Sequence, residues 1–196
     1  MAKKKRVFIG LPLPKKTKKV LIDIQEELKK DVDNEDVKWV EKENLHQTLV
    51  FLGHKTKDEI EEIIEIMEEL ESLEALKLEL YRLDFHPDQR RARIVWISLS
   101  EEDEKLTSYY HQLRFPLQLA DIEFDTRFSP HITLGRVRQV QGKSLFSNKT
   151  VDRIQDFFRD RDKTFVVNKA VLYESELTPD GPIYKPLHEV CFKPRK

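Results

Sequence analysis

Two short segments hold the residues best suited to chemistry: Leu45-His46-Gln47-Thr48-Leu49 and Pro130-His131-Ile132-Thr133-Leu134. In a β-strand, residues two apart project from the same face. Each His therefore travels with its Thr, and if the two halves pack about a pseudo-twofold axis, two imidazoles and two hydroxyls share one cleft. Such a set suits phosphoryl chemistry. Opening a cyclic phosphodiester needs a base to take a proton from the attacking water and an acid to protonate the departing oxygen. Attack and departure are roughly in line, so base and acid stand on opposite sides of phosphorus. An imidazole, with an ordinary pKa near about 6.5, serves in either role near neutrality. Threonine hydroxyls donate to the non-bridging oxygens, where charge builds. A lone His-x-Thr in a strand is ordinarily structural, because threonine suits strands. Two copies, each followed by Leu and lying in separate halves, are the stronger signal.

The elements that must carry these residues follow from hydrophobic periodicity. Val7, Ile9 and Leu11 alternate before Pro12 as a short strand. Val20, Leu21, Ile24 and Leu28 have helical spacing. Apolar stretches follow at 37–40 and 45–52, the latter ending at Gly53. Thr56 and Glu59 make a capping-box pattern for a helix whose stripe is Ile60, Ile63, Ile64, Met67 and Leu70. Leu76, Leu78 and Leu80 alternate as a half-buried strand, and 93–99 reads as a more buried one. A helix from about Glu101 carries Leu106, Tyr110 and Leu113, with Pro116 expected to end it. After a polar loop come the strand 131–134, a short helix with Ile154, Phe157 and Phe158, and two strands flanking the turn Pro179-Asp180-Gly181. Strands and helices mix without a βαβ rhythm, so the expected class is α+β.

Bulk properties narrow the field. The 196 residues suffice for one domain, or one domain of two closely packed lobes. With 36% charged residues and a formal net charge of -1, the chain is not a protein that coats nucleic acid through bulk basicity. The single Cys191 excludes an internal disulfide and a cysteine-based zinc site. No signal peptide or membrane-length apolar run is seen, so the expected location is the cytoplasm. The opening Lys3-Lys4-Lys5-Arg6 reads as a solvated start to the first strand.

The flanks of the two motifs are similar to a known family. Arg6-Val-Phe-Ile-Gly-Leu-Pro-Leu-Pro14, Leu45-His-Gln-Thr-Leu-Val-Phe-Leu-Gly53, Arg93-Ile-Val-Trp-Ile-Ser-Leu99 and Ser129-Pro-His-Ile-Thr-Leu-Gly-Arg136 resemble the two-histidine phosphoesterases, specifically the LigT-like RNA 2′,3′-cyclic phosphodiesterases. Leu172-Tyr-Glu-Ser-Glu-Leu177 and Gly181-Pro-Ile-Tyr184 resemble the family's closing hairpin. The resemblance implies a bilobal, pseudo-twofold α+β fold with two antiparallel sheets flanking a central cleft, helices outside, and one two-lobed phosphoesterase domain over 1–196. It implies hydrolysis of terminal 2′,3′-cyclic phosphate on RNA ends or nucleotides to a 2′-phosphate, with no metal and no cofactor. By the same analogy His46 is the proton donor, His131 the proton acceptor, and Thr48 and Thr133 hold phosphate. Arg136 matches the basic residue closing the second motif, and a guanidinium suits phosphate. Simple alternation, however, puts Arg136 opposite His131 and Thr133 unless the strand bends near Gly135.

Other residues carry less. His54, His86, His111 and His188 have no paired motif and no usual metal-binding spacing. Arg90, Arg91 and Arg93, with Arg127 and Arg138, read as a basic rim or as ordinary solvated loops. Phe8, Phe51 and Trp96 fit a base-stacking surface, but their strand setting favours core packing. No obligate protein partner is implied, and a monomer is expected. The same cleft also suits 2′–5′ RNA ligation or small cyclic nucleotides, and a non-catalytic RNA- or nucleotide-binding module is the alternative from another class.

Overall fold

The structure, a computed structural model, describes residues 4–33, 35–100, 104–138, 144–159, 163–179 and 181–195. Lys3 of the expected solvated strand start, Glu101 of the expected helix start and Asp180 of the expected turn lie outside them. Strands β1 (Lys5–Pro12), β3 (His46–Lys55), β8 (Lys169–Thr178) and β9 (Gly181–Cys191) form a four-stranded antiparallel sheet in the order β3-β1-β8-β9. Strands β2 (Val37–Trp39), β6 (His131–Val137), β5 (Ile94–Leu99), β4 (Leu76–His86) and β7 (Thr164–Val167) form a second antiparallel sheet in that order. Helices α1 (Lys15–Lys29), α2 (Lys57–Glu68), α3 (Lys105–Leu119) and α4 (Asn148–Arg159) complete an α+β fold. None of the described helices is long and apolar enough to cross a membrane.

Each sheet has one core face. Val7, Ile9 and Leu11 of β1 and Val95 and Ile97 of β5 are fully buried there. Helices cover these faces: α3 lies on β3 and β4, and α4 lies on β4, where Gln155 bonds both backbone groups of Leu83. In α2 the capping box forms, with Thr56 Oγ1 accepting from Glu59 N at 3.3 Å and Glu59 Oε2 from Thr56 N at 2.7 Å. Ile60, Ile63 and Met67 are its buried stripe, each contributing about 1.5–3 kcal/mol of burial. The opposite face of each sheet, with Gly10 on β1 and Trp96 on β5, borders the cleft.

Several boundaries differ from expectation. Helix α3 runs through Pro116 to Leu119, because Leu113 and Leu117 are fully buried on either side of it and hold the last turn in place. Strand β3 continues past Gly53 to Lys55: Leu52 bulges out of register, and Gly53, at φ 74, restores the pairing with Val7. Strand β6 likewise continues past Leu134 to Val137. Four-residue β7 carries no pattern long enough to announce it, yet it pairs with β4 from Leu76 to Glu79.

Candidate active site

The walls of the cleft follow from strand register, since residues paired across antiparallel strands project to the same side. On the first sheet His46 pairs with Pro12, Thr48 with Gly10 and Phe51 with Phe8. On the second, His131 pairs with Ser98, Thr133 with Trp96 and Arg136 with Ile94. Thus His46 and Thr48 share one wall, and His131 and Thr133 the other. Strands β3 and β6 touch directly, and the charge of His131 bears on His46. The four motif residues therefore meet in one cleft.

Arg136 joins them, contrary to simple alternation. Between Thr133 and Gly135 the partner strand advances by only one residue, from Trp96 to Val95, so Leu134 is an extra residue in a β-bulge. The bulge resets the period and turns Arg136 onto the face of His131. Its carbonyl does not go unsatisfied: Leu134 O accepts from Val40 N and from Gln25 Nε2, each at 2.8 Å. Gly135 is required beside it, because a Cβ there would lie 2.8 Å from Val37 Cγ1 and 3.0 Å from Trp39 Cε3. The first motif has a matching bulge, with Leu49 out of register directly after Thr48.

Both histidines are held in the same way. His46 Nδ1 donates to Asn44 O at 2.6 Å, and His131 Nδ1 donates to Ser129 O at 2.7 Å. A carbonyl can only accept, so the proton of each neutral ring sits on Nδ1 and the lone pair on Nε2. On His46 that Nε2 lies 3.0 Å from Thr48 Oγ1 and accepts its hydroxyl. On His131 the Nε2 has no partner among the described residues. The loop that supplies Ser129 is fixed by Phe128 stacked on Tyr110 at 4.4 Å, by Tyr110 Oη donating to Thr126 O, and by Asp125 N bonding Phe51 O.

Burial and nearby cations favour the neutral form of both rings. Burial pushes His46 down to about 4; the charges of Lys18 and His131 add to this, and the Asn44 bond opposes it. Burial also lowers His131, helped by Arg136 and opposed by the Ser129 bond. A cationic environment that disfavours a third positive charge favours an anion between the rings.

Around the motifs, Phe8 is buried as expected, while Trp96 and Phe51, also expected in the core, are half-buried beside the cleft. Trp96 lies 4.4 Å from the His131 ring, Phe8 lies 4.8 Å from His46, and the Arg6 guanidinium sits 4.7 Å over Phe51. Gly10 makes room for this, since a Cβ there would stand 3.3 Å from His46 Cδ2. The basic rim is less available than expected, because Arg91 is paired with Asp88 and Arg127 with Asp125, each at 2.7 Å. His188 is engaged by Glu68, outside the cleft. Gln25, Asn44 and Arg6 were not legible as site residues, because their roles arise from partners far along the chain.

Comparison with known proteins gives the family and the fold. The family model described as LigT like Phosphoesterase matches twice, over residues 11–96 and 97–184, so that each match contains one motif. A Methanocaldococcus jannaschii protein named RNA 2′,3′-cyclic phosphodiesterase is 30% identical over 185 residues, covering 94% of this chain and 99% of its own. An Aquifex aeolicus protein of the same name is 32% identical over 188 residues, covering 94% and 95%. In fold, the chain is similar to a crystal structure of a Thermus thermophilus protein, with TM-score 0.77 at 22% identity over 97% of this chain and all of that one. It is also similar to E. coli LigT complexed with 3′-AMP, with TM-score 0.71 at 20% identity over 97% and 99%.

Proposed function

The chain belongs to the LigT-like phosphoesterase family, and from that premise we propose that it is an RNA 2′,3′-cyclic phosphodiesterase whose acid and base are His46 and His131. The observation that carries this reading is the matched pair of Nδ1–carbonyl bonds, which fixes both tautomers and leaves two Nε2 atoms for the cleft. With phosphorus between the walls, His131 Nε2 takes the proton of the attacking water. Its unpartnered lone pair suits it for that part. Protonated His46 gives its Nε2 proton to the ribose 3′ oxygen as the P–O3′ bond breaks. A P–OH bond forms, the 2′ ester stays, and the product is a 2′-phosphate. Thr48, Thr133 and Arg136 hold the non-bridging oxygens, where charge develops. The whole chain acts as one two-lobed domain in this reading, since the four-stranded sheet takes strands from both ends of the sequence. It works as a cytoplasmic monomer on RNA ends or nucleotides.

Burial holds His46 at about 4, so the required His46 proton must be supported by the bound phosphate anion. This gives a pH prediction with a definite sign. Activity needs one ring protonated and one neutral, and kcat/KM follows the free enzyme. Both histidines lie below the ordinary 6.5, His46 at about 4. The kcat/KM optimum therefore falls on the acid side of pH 6.5. Bound anion raises both pKa values, so the kcat profile lies at higher pH than the kcat/KM profile. Coincident profiles centred above pH 7 would contradict it.

The direct test is incubation of the protein in EDTA with an RNA ending in 2′,3′-cyclic phosphate, followed by identification of the product isomer. The expected product is the 2′-phosphate, formed at the same rate with or without chelator. A 3′-phosphate would reverse the leaving oxygen, and no turnover of RNA ends or cyclic mononucleotides would reject the reading.

A further inference from the structure

The His46 wall carries a polar group, the Tyr184 hydroxyl, that neither motif accounts for. Tyr184 stands on β9, paired with Ser175 of β8, on the wall that carries His46. Its ring meets the His46 imidazole edge-on, with centroids 5.2 Å apart and planes at 87°, and meets Phe8 at 4.9 Å and 73°. Asn44 ties this arrangement together. Its backbone carbonyl holds His46 Nδ1, while its side-chain Nδ2 donates to Pro182 O at 2.8 Å, two residues before Tyr184. One residue thus sets both the histidine and the hairpin that brings the tyrosine to it.

We propose that Tyr184 is a further substrate-contacting residue, its phenolic hydroxyl donating a hydrogen bond to a non-bridging oxygen of the cyclic phosphate. Tyr184 is half-buried, and its hydroxyl has no hydrogen-bond partner among the described residues. The hydroxyl is not one of the buried orphaned polar atoms among the described residues, so it opens to the cleft, where a ligand oxygen can reach it. The groups acting on this hydroxyl are cations, Arg136 from the opposite wall and Arg6 from its own. Burial outweighs both and keeps the phenol a protonated donor. A lone donor framed by two guanidiniums is a site for anionic oxygen. Tyr173, one strand nearer the middle of the sheet, makes the contrast. It stacks on Phe8 at 5.2 Å and is likewise raised by burial, but the charge acting on it is the carboxylate of Glu189, which repels an anion.

This inference rests on the phosphodiesterase reading for its substrate, and Tyr184→Phe tests it while keeping the ring against His46 and Phe8. Inorganic phosphate is titrated into the protein and followed through the imidazole resonances of His46 and His131. Turnover of RNA with cyclic ends is measured in parallel. A hydrogen bond to a charged group is worth roughly a tenfold to hundredfold effect. Tyr184→Phe should therefore weaken phosphate binding by about tenfold or more and lower kcat by about 10–100-fold, with Tyr173→Phe like wild type on both counts. Wild-type phosphate affinity and kcat in Tyr184→Phe would overturn the assignment, as would a wild type that binds no phosphate. Tyr184-dependent phosphate binding in a wild type that opens no cyclic ends would reject the phosphodiesterase reading and leave Tyr184 as an anion donor.

Discussion

Replacing either His46 or His131 with Ala lowers kcat by about 10²–10⁴-fold, the usual contribution of a positioned acid or base. The two losses are not additive. In-line transfer needs both protons moved in one step, so once either ring is gone the other has no task. The double variant should therefore be little slower than the worse single one. Both rings are half-buried at the lining of a cleft, not packed in the core, so the variants stay folded. Circular dichroism and a thermal melt check this beside the rate. A folded single variant with wild-type kcat would remove that histidine from the chemistry, and fully multiplicative losses would show two independent effects.

Gly135→Val gives the second large effect, on stability and activity together. The Cβ alone would stand 2.8 Å from Val37 Cγ1 and 3.0 Å from Trp39 Cε3, and valine adds two methyl groups. Val37 is buried and pairs with β6, so it has little room to yield. Overpacking of this kind costs about 1–3 kcal/mol, and in a domain of this size each kcal/mol lowers Tm by about 2–4 °C. The strain falls on the bulge that turns Arg136 into the cleft. The kcat/KM of the folded variant, assayed well below its melting point, should therefore also drop. An unchanged Tm would mean that β2 moves aside freely. An unchanged kcat/KM in a destabilised protein would mean that Arg136 does not depend on the bulge.

The two cases show what was legible in the sequence. His46 with Thr48 and His131 with Thr133 follow from the period of two, because no bulge interrupts either pair. Arg136 does not, since Leu134 breaks the period one residue after the threonine and leaves no mark except the glycine beside it. Phe51 and Trp96 pass for core residues in the sequence for a related reason. Alternation separates two faces but does not say which is covered by helices, and this cleft is lined with aromatic rings that look like core. Pro116 signals a helix end by its local cost alone, while burial of Leu117 carries the helix past it. Tyr184 and Asn44 depend on a hairpin that crosses most of the chain to reach His46, and local periodicity has no access to such a contact.

The order of strands in the first sheet bears on how the protein comes into being. Its two inner neighbours, β1 and β8, come from opposite ends of the chain, with Ile9 paired to Leu172. Until β8 emerges during synthesis, β1 and β3 are a bare two-stranded ribbon with both edges unpaired, a form that is marginal in water. Closing so long a loop is entropically costly and slow. The second sheet, by contrast, has β4, β5 and β6 in hand as soon as they are made. During synthesis, therefore, the His131 wall can fold before the His46 wall can. Catalytic competence arrives only with the last strands.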